Sequence, residues 1–385
     1  MTSPLDKLRV DQVGSLLRPA WLKEVYARHG KGEATDRELS DAQDRAVREV
    51  IVRQEALRFP VITDGEYRRI TFQDSFLGSV SGWATQRGTI QWAEQKVSGA
   101  KPLQRWAMDG FAQDGQPTDV RRPAIERLRL VESRPLKEYL FSKGVARTPI
   151  KVTLLDTDRV VERFDVERSH PVYDDLGDFV NHVVAIQHQI VDGLVQAGCS
   201  YVQIDGPSYT RYVDPPSLER MRARGEDPIA SMERSIRADN SVIAGFPGVT
   251  FGLHICRGNQ RSMWHREGFY DAIAERLFNG LVHQRLLLEY DSERAGSFEP
   301  LRFVPKGKVV VLGLVSTKVP RVETVDELKR KIEAASRFLP LDQLALGPQC
   351  GFASSILGNL LSEDDQWRKL EIVQKVAADV WGRVV

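Results

Sequence analysis

The sequence predicts an α/β protein built as a (β/α)8 TIM barrel, and three observations favour this fold class. Eight short apolar runs recur along the 385 residues, and several are almost wholly apolar, as is typical of parallel strands buried on both faces. Amphipathic segments of helical length separate most of these runs. No glycine-rich dinucleotide fingerprint follows an early run, which places a doubly wound open sheet second. We therefore predict a single barrel domain over residues 1–385.

The predicted strands are the apolar runs, in chain order. They are Arg9–Val13, Val61–Thr63, Ile150–Leu154, Tyr201–Ile204, Val249–Leu253, Leu286–Glu289, Val309–Leu312 and Leu344–Leu346. The predicted helices are Thr35–Arg58, Leu176–Ala197, Ile229–Ala244, Phe269–Phe278, Val325–Phe338 and Glu363–Trp381. Thr35 or Asp36 can cap the first of these helices, because either side chain accepts a hydrogen bond from a free N–H of the first turn.

Residues 70–130 interrupt the alternation of strands and helices. They contain Trp83, Trp92 and Trp106, several glycines and the alternating segment Thr89–Trp92. We interpret them as an insertion, a hairpin with loops over one end of the barrel. Long irregular segments in compact domains are often lids, so both a lid and a surface excursion without a role remain open.

Charge and composition exclude several classes of protein. The 54 basic and 53 acidic residues give a formal net charge of +1, which offers no electrostatic reason to bind nucleic acid or an anionic membrane. No stretch approaches the roughly 18 apolar residues of a membrane span, and no signal-peptide core is seen. The chain has only three cysteines, so a disulfide framework is implausible. Taken together, these observations lead us to expect a cytoplasmic enzyme that acts on small molecules.

The late predicted strands end in residues that can bind a metal. His254 and Cys256 end the fifth strand, Glu289 ends the sixth, and Cys350 follows the eighth. Residues at the C-terminal ends of barrel strands converge on one mouth, and residues two apart on an extended segment point to the same side. One imidazole and two thiols favour zinc, and three protein ligands with one exchangeable position are typical of a catalytic zinc site.

Such a site would suit a reaction of a thiol. A free thiol is mostly protonated at neutral pH, whereas coordination to zinc produces the nucleophilic thiolate. An incoming thiol would displace Glu289 or a water. The simpler alternative is that these cysteines are small buried hydrophobes and the glutamate is salt-bridged. We interpret Cys199 as structural, and the remaining histidines as ordinary: His29, His170, His182, His188, His265 and His283.

Ordered motifs over nearly the whole chain resemble a known family. They are DQVGSLLRP, TDGEYRR, YVQIDGPSY, HICRGNQRS, LLLEYDSERAGSFEPLR, VVLGLVSTK and LGPQCGFASS. The chain resembles the catalytic C-terminal half of cobalamin-independent methionine synthase, and more closely its stand-alone single-barrel relatives. The resemblance implies a barrel with Zn²⁺ in its mouth, held by His254, Cys256 and Cys350. It also implies that Glu289 is the glutamate that ligates zinc when no thiol is bound.

The resemblance further implies residues that hold the amino-acid end of homocysteine. Gly14 and Ser15 match the segment whose backbone and hydroxyl bind the carboxylate. Glu66 and Asp205 match the carboxylates that bind the amino group. A zwitterion needs both hydrogen-bond donors and acidic partners, so the assignment is physically reasonable.

Three segments depart from the family, and two of them concern the alkyl donor. Asp156 and Thr157 stand where the family has Asn and a Trp that stacks on the folate ring. Lys318 stands where the family has a histidine thought to assist proton delivery, and Gly206 replaces a usual glutamate. The donor therefore stays open between a folate, a methylcobalamin corrinoid, another methylated metabolite and an epoxide.

The leading hypothesis is a zinc-dependent S-methyltransferase of methionine biosynthesis that methylates homocysteine. An epoxyalkane:coenzyme M transferase-like reaction is the alternative, with Arg257, Arg261 or Arg68 pairing with the sulfonate. A non-catalytic zinc-binding barrel is a second alternative. A decarboxylase of the uroporphyrinogen type ranks lowest, because it needs no metal and leaves the histidine and cysteines unexplained.

Overall fold

The computed structural model describes residue 5, residues 8–84, residue 105 and residues 121–382. Its strands, in chain order, are β1 (Val80–Trp83), β2 (Ala124–Leu130), β3 (Lys151–Leu155), β4 (Tyr201–Asp205), β5 (Thr250–Ile255), β6 (Arg285–Glu289), β7 (Val309–Val315) and β8 (Leu344–Pro348). Strands β3 to β8 form one parallel sheet in which each strand pairs with the next along the chain. This sequential parallel order is the order of a barrel, as predicted.

Two isolated parallel bridges complete the ring. Val10 pairs with Leu346 of β8, and Ile62 pairs with Ile150 beside β3. The two chain segments that contain Val10 and Ile62 are in turn joined, because the Leu16 N–H donates to the Gly65 carbonyl at 3.0 Å. The chain therefore closes on itself in eight positions, and the fold is of the TIM-barrel type.

The first two predicted strands are shorter in the structure than expected, each contributing a single bridge residue. Side chains take the backbone groups that a ladder would use. Gln203 Nε2 donates to the Val13 carbonyl at 2.8 Å. Gln54 binds both backbone groups of Thr63, accepting from its N–H at 3.1 Å and donating to its carbonyl at 2.8 Å. Buried backbone groups need a partner, and here the partner is a glutamine instead of a neighbouring strand.

The α-helices are α1 (Ala20–Gly30), α2 (Asp36–Ala56), α3 (Asp74–Leu77), α4 (Arg134–Lys143), α5 (Thr157–Val161), α6 (Leu176–Gln196), α7 (Pro215–Ala223), α8 (Pro228–Val242), α9 (Ala274–Gly280), α10 (Val325–Ser336) and α11 (Glu363–Trp381). Every predicted helix is present, although Phe269–Phe278 is divided between a 3₁₀ turn and α9. Thr35 caps α2 and forms a capping box with Glu38. Among the described residues, no helix combines the length and apolar composition needed to cross a membrane.

The insertion has the predicted hairpin at its two ends. Strands β1 and β2 pair antiparallel, with Val80 opposite Leu130. Trp92, Trp106 and Thr89–Trp92 lie outside the described residues, so the lid remains a prediction. Arg105 is described, and its guanidinium pairs with the buried Asp214 at 2.6 Å.

One hydrophobic cluster extends from Val10 to Ala377 and packs the helices against the sheet. The barrel interior is partly polar, which the mostly apolar sequences of the strands did not predict. Asp11 accepts from Lys151 Nζ at 2.6 Å and from Tyr201 Oη at 2.7 Å, and it pairs with Arg285 Nε at 3.1 Å. Burial raises the pKa of Asp11, but the ammonium and the guanidinium outweigh burial and hold this pKa below its usual value.

Candidate metal centre

The ends of β5 and β8 bring one imidazole and two thiols together. His254 lies in β5, Cys256 follows its last residue, and Cys350 lies two residues beyond β8. All three side chains are buried, and their candidate ligand atoms lie within 4.8 Å of one another. The structure thus assembles the three ligands that the resemblance implied into one group.

The hydrogen bonding of His254 leaves one ring nitrogen directed to this group. Nδ1 lies 3.1 Å from the Leu287 carbonyl, an acceptor that requires Nδ1 to carry the proton. Nε2 is then the basic nitrogen, and it is buried without a hydrogen-bond partner. Metal-binding histidines usually donate their other ring N–H to a carbonyl or carboxylate, so this arrangement fits a metal ligand.

The two thiols interact directly and unequally. The hydrogen bond from the Cys350 thiol lowers the pKa of Cys256 well below its usual value, and His254 adds to this against the effect of burial. The same hydrogen bond raises the pKa of Cys350, as does burial. The site therefore stabilises a thiolate at Cys256, and the thiolate is the form of cysteine that binds a metal.

Glu289 lies beside the three residues but is not part of the group. Its Oε2 accepts from the Arg257 backbone N–H at 2.6 Å, and its Oε1 lies 3.5 Å from Arg294 Nη2. Burial raises its pKa, but Lys318, Arg257 and Arg294 outweigh burial and keep the carboxyl ionised. Glu289 as a metal ligand therefore remains a prediction, since both carboxylate oxygens have protein partners here.

One cavity joins the three residues to most of the predicted substrate contacts. Its open space, including solvent at the mouth, is about 960 Å³, and its walls include Ser15, Glu66, Asp205, His254, Cys256 and Cys350. Gly14 is not part of this wall, although its neighbours Val13 and Ser15 are. A Cβ atom on Gly14 would be 2.6 Å from Thr153 Cγ2 and 3.2 Å from Glu66 Oε1, so this close approach requires glycine.

Glu66 occupies a strained turn with an unsatisfied oxygen. Its φ of 59° lies in the left-handed region, which costs a residue with a side chain about 1–2 kcal/mol. Arg18 Nη2 donates to its carbonyl at 2.7 Å, and Asp64 Oδ1 accepts from its N–H at 2.8 Å. Thr153 Oγ1 donates to Oε1 at 2.8 Å, whereas Oε2 is buried without a partner. Strain of this kind with an unpaired oxygen is typical of a binding site.

Asp205 is the last residue of β4, and its carboxyl group is also buried. Burial raises its pKa to about 7; His254 opposes this, and the nearby charge of Glu66 adds to it. Gln203 Nε2 donates to its Oδ1 at 2.7 Å. Two carboxyl groups that face one cavity repel each other when both are ionised, and a cation that binds between them relieves this repulsion.

Some residues of the site were not predicted from the sequence. Arg69 binds Glu138 at 2.7 Å and donates to Thr153 Oγ1 at 3.0 Å, and Thr153 in turn holds Glu66. Its adjacency to Glu66 in TDGEYRR was the available signal. His265, which we interpreted as ordinary, lines the cavity with a buried Nε2 that has no hydrogen-bond partner. Its long loop after β5 gave no signal for this position.

The residues expected to discriminate the donor lie away from the cavity. Thr157 is buried, and its Oγ1 donates to Gln187 Oε1 at 2.7 Å. Asp156 is also buried, and burial, Asp239 and Asp158 raise its pKa well above the usual value. Neither residue lines the cavity, whose walls include the rings of Phe72 and His265 instead.

The arginines considered for a sulfonate have other partners. Arg257 Nη2 donates to the Gly268 carbonyl at 2.6 Å, and its guanidinium stacks on Tyr270. Arg68 pairs with Asp44 of α2. Neither they nor Arg261 line the cavity, so the expectation that one of them meets a substrate there finds no support.

A parallel α/β barrel that brings an imidazole and two thiols together at the C-terminal ends of its strands has a group of side chains that could hold a metal ion. Residues 143–359 match the family model described as the catalytic domain of cobalamin-independent synthase. The chain belongs to this family.

Individual relatives agree with this assignment. The chain is 34% identical to uncharacterized protein YxjH of Bacillus subtilis over 378 residues, which is 97% of this chain and 94% of that protein. It is 25% identical to methionine synthase of Pyrococcus abyssi over 342 residues, which is 88% of this chain and 84% of that protein. Its fold is similar to the crystal structure of the putative vitamin-B12 independent methionine synthase from Listeria monocytogenes, with a TM-score of 0.74 and 24% identity over the full length of both chains.

Proposed function

We propose that the chain is a zinc-dependent methyltransferase that methylates the sulfur of homocysteine to give methionine. The observation that carries the proposal is the buried, partnerless Nε2 of His254 within 4.8 Å of the thiols of Cys256 and Cys350. The methionine synthase name of the Pyrococcus abyssi relative supports the reaction class.

The donor set fits zinc. A buried imidazole nitrogen needs a partner, and two sulfurs with one nitrogen favour zinc over magnesium or calcium. Bound there, zinc would supply acidity, because it favours the deprotonated form of a thiol at neutral pH. His254, Cys256 and Cys350 would hold the ion, which leaves one position for the substrate thiol. Glu289 would occupy that position before the substrate binds.

The chain's own residues then select and orient the amino acid. Oε2 of Glu66 and the carboxyl of Asp205 would receive the ammonium group, because they are acidic, buried and on the same cavity. The backbone of Gly14 and the hydroxyl of Ser15 would hold the carboxylate. Coenzyme M has no ammonium group to place between these two acids, and this favours homocysteine over the epoxyalkane transferase-like alternative.

In the reaction, the thiol proton leaves homocysteine and a bond forms between its sulfur and the methyl carbon. The bond between that carbon and the donor breaks, and the departing donor atom takes up a proton. The contribution of the protein is to hold the sulfur in line with the methyl carbon.

The test is direct. Zinc-loaded protein is mixed with homocysteine and 5-methyltetrahydrofolate, and methionine is quantified by mass spectrometry. We expect methionine from the intact protein and from Cys199→Ala, and none from Cys256→Ala. A wild-type protein that binds no zinc, or a Cys256→Ala protein that binds zinc and turns over normally, would refute the proposal. X-ray absorption that gains no sulfur neighbour on addition of homocysteine would favour the non-catalytic barrel.

A further inference from the structure

Lys318 is a fully buried cation just beyond β7, one of the two strands that lie between β5 and β8 in the sheet. Its Nζ donates to the Gly258 carbonyl at 2.7 Å and to Asn259 Oδ1 at 2.9 Å. Gly258 lies two residues after Cys256. The hydrogen bonds of the ammonium therefore connect the end of β7 to the loop that carries the first thiol.

Asn259 connects this loop to the segment that carries the second thiol. Its Nδ2 donates to the Gly351 carbonyl at 2.8 Å and to Thr317 Oγ1 at 2.7 Å. Gly351 is the residue after Cys350. Lys318 orients the Asn259 side chain, because an ammonium can bind only the amide oxygen and so directs the NH₂ group towards Gly351.

We infer that Lys318, acting through Asn259, is the positioning residue that sets the distance between the sulfurs of Cys256 and Cys350. The inference deepens the proposed function and rests on it for the identity of the ion. The two thiols are on separate loops, and barrel loops are the most mobile parts of such a fold. Hydrogen bonds that join the loops within two residues of each sulfur restrict the sulfur separation, as outer partners of metal ligands commonly do.

A neutral side chain of the same length as Lys318 would lose the hydrogen bonds to the Gly258 carbonyl and to Asn259 Oδ1.

Lys318 is not placed to touch substrate. It does not line the cavity, and two of its three N–H donors have protein acceptors. From this position Lys318 acts on the loops that carry the thiols and does not take part in the chemistry.

The test compares Lys318→Met with a matched substitution at the opposite end of the same strand. Lys308 precedes β7, and its Nζ likewise donates to two backbone carbonyls, those of Leu281 and His283, but neither belongs to a thiol loop. Lys308→Met therefore controls for the loss of a partly buried ammonium bound to carbonyls. Lys318→Arg keeps the charge and the donors and should restore part of the effect.

The first measurement needs no metal. Phenylarsine oxide, a trivalent arsenical that binds two thiols at once, is titrated into metal-free protein, with Cys256→Ala and Cys350→Ala as blanks. We expect Lys318→Met to weaken arsenical binding at least tenfold and Lys308→Met to leave it within twofold. Zinc affinity by competition with a chelator should fall by about 10–100-fold in Lys318→Met alone.

The outcomes separate the inference from the proposed function. Folded Lys318→Met protein with wild-type arsenical affinity would overturn the inference, whatever the zinc result. Wild-type protein that binds the arsenical and not zinc would remove the proposed function, while weaker arsenical binding by Lys318→Met would still support the positioning role. If Lys318→Met does not fold, Asn259→Ala tests the inference in its place. This variant removes the hydrogen bond to the Gly351 carbonyl and retains the Lys318 ammonium. An unchanged arsenical affinity in Asn259→Ala would then overturn the inference.

Discussion

Replacing Gly14 with alanine should damage the candidate amino-acid site through a single interatomic contact. The new Cβ would lie 2.6 Å from Thr153 Cγ2 and 3.2 Å from Glu66 Oε1. Ordinary contacts between carbon atoms are about 3.5–4.0 Å, so roughly 1 Å of movement is needed. Thr153 lies in a strand of the closed sheet, where overpacking typically costs about 1–3 kcal/mol.

The movement should also reach Glu66. Thr153 Oγ1 donates to Glu66 Oε1 at 2.8 Å, so a displaced threonine weakens the bond that orients this carboxylate. We therefore expect Gly14→Ala to lower the free energy of unfolding by about 1–3 kcal/mol. We also expect weaker homocysteine binding with unchanged zinc stoichiometry, because the three atoms nearest to the new Cβ belong to Thr153 and Glu66 and not to the proposed metal ligands.

A double-mutant cycle isolates the contact. Thr153→Ser removes the clashing methyl group and keeps the hydroxyl. Urea denaturation should show Gly14→Ala/Thr153→Ser to be less destabilised than the sum of the two single variants by at least about 1 kcal/mol. Gly193→Ala in α6 is the control, because its Cβ would meet Leu136 at an ordinary 3.4 Å. Simple additivity in the cycle would refute the reasoning.

Three further predictions follow from buried groups. Cys256→Ala and Cys350→Ala should each abolish stoichiometric zinc binding measured by metal analysis, whereas Cys199→Ala should retain it; bound zinc in either of the first two would contradict the site. Glu66→Gln should weaken homocysteine binding by calorimetry by about 1.5–3 kcal/mol, the contribution of a charged hydrogen bond, and wild-type affinity would exclude the ammonium contact. Burial, assisted by Lys308, lowers the pKa of His283 to about 3 from its usual 6.5, so protonation favours unfolding and stability falls below pH 6.5. Between pH 7 and pH 5, wild type should lose about 2 kcal/mol more than His283→Leu in urea denaturation, and equal losses would show that His283 is not the titrating group.

The sequence was most informative where one local rule decides the structure. Helix α11 begins and ends where predicted, because Ser362 and Asp365 form a capping box and a long amphipathic pattern follows. The convergence of His254, Cys256 and Cys350 was also accessible, because His254 and Cys256 are two apart at a strand end and Cys350 follows another strand end. Parallel strands bring such ends together without further information.

Features that depend on distant residues were not accessible in the same way. The first two strands are reduced to bridges because glutamines from elsewhere in the chain take their backbone groups. The pairing of Arg69 with Glu138 joins positions far apart in sequence. His265 reaches the cavity only because a loop folds back, with its ring against Gly258, where a Cβ would be 1.7 Å from Nδ1. No periodicity or motif encodes contacts of this kind.

The bridge between Val10 and Leu346 means that neighbours in space come from opposite ends of the described chain. Cys350 follows the last strand of the ring, and Ser15 and Glu66 follow the first two. No partly assembled sheet can therefore present the imidazole, both thiols and the amino-acid contacts together. An ion that bound only the complete set would stabilise the closed ring by mass action, so metal binding would be thermodynamically coupled to the completion of folding.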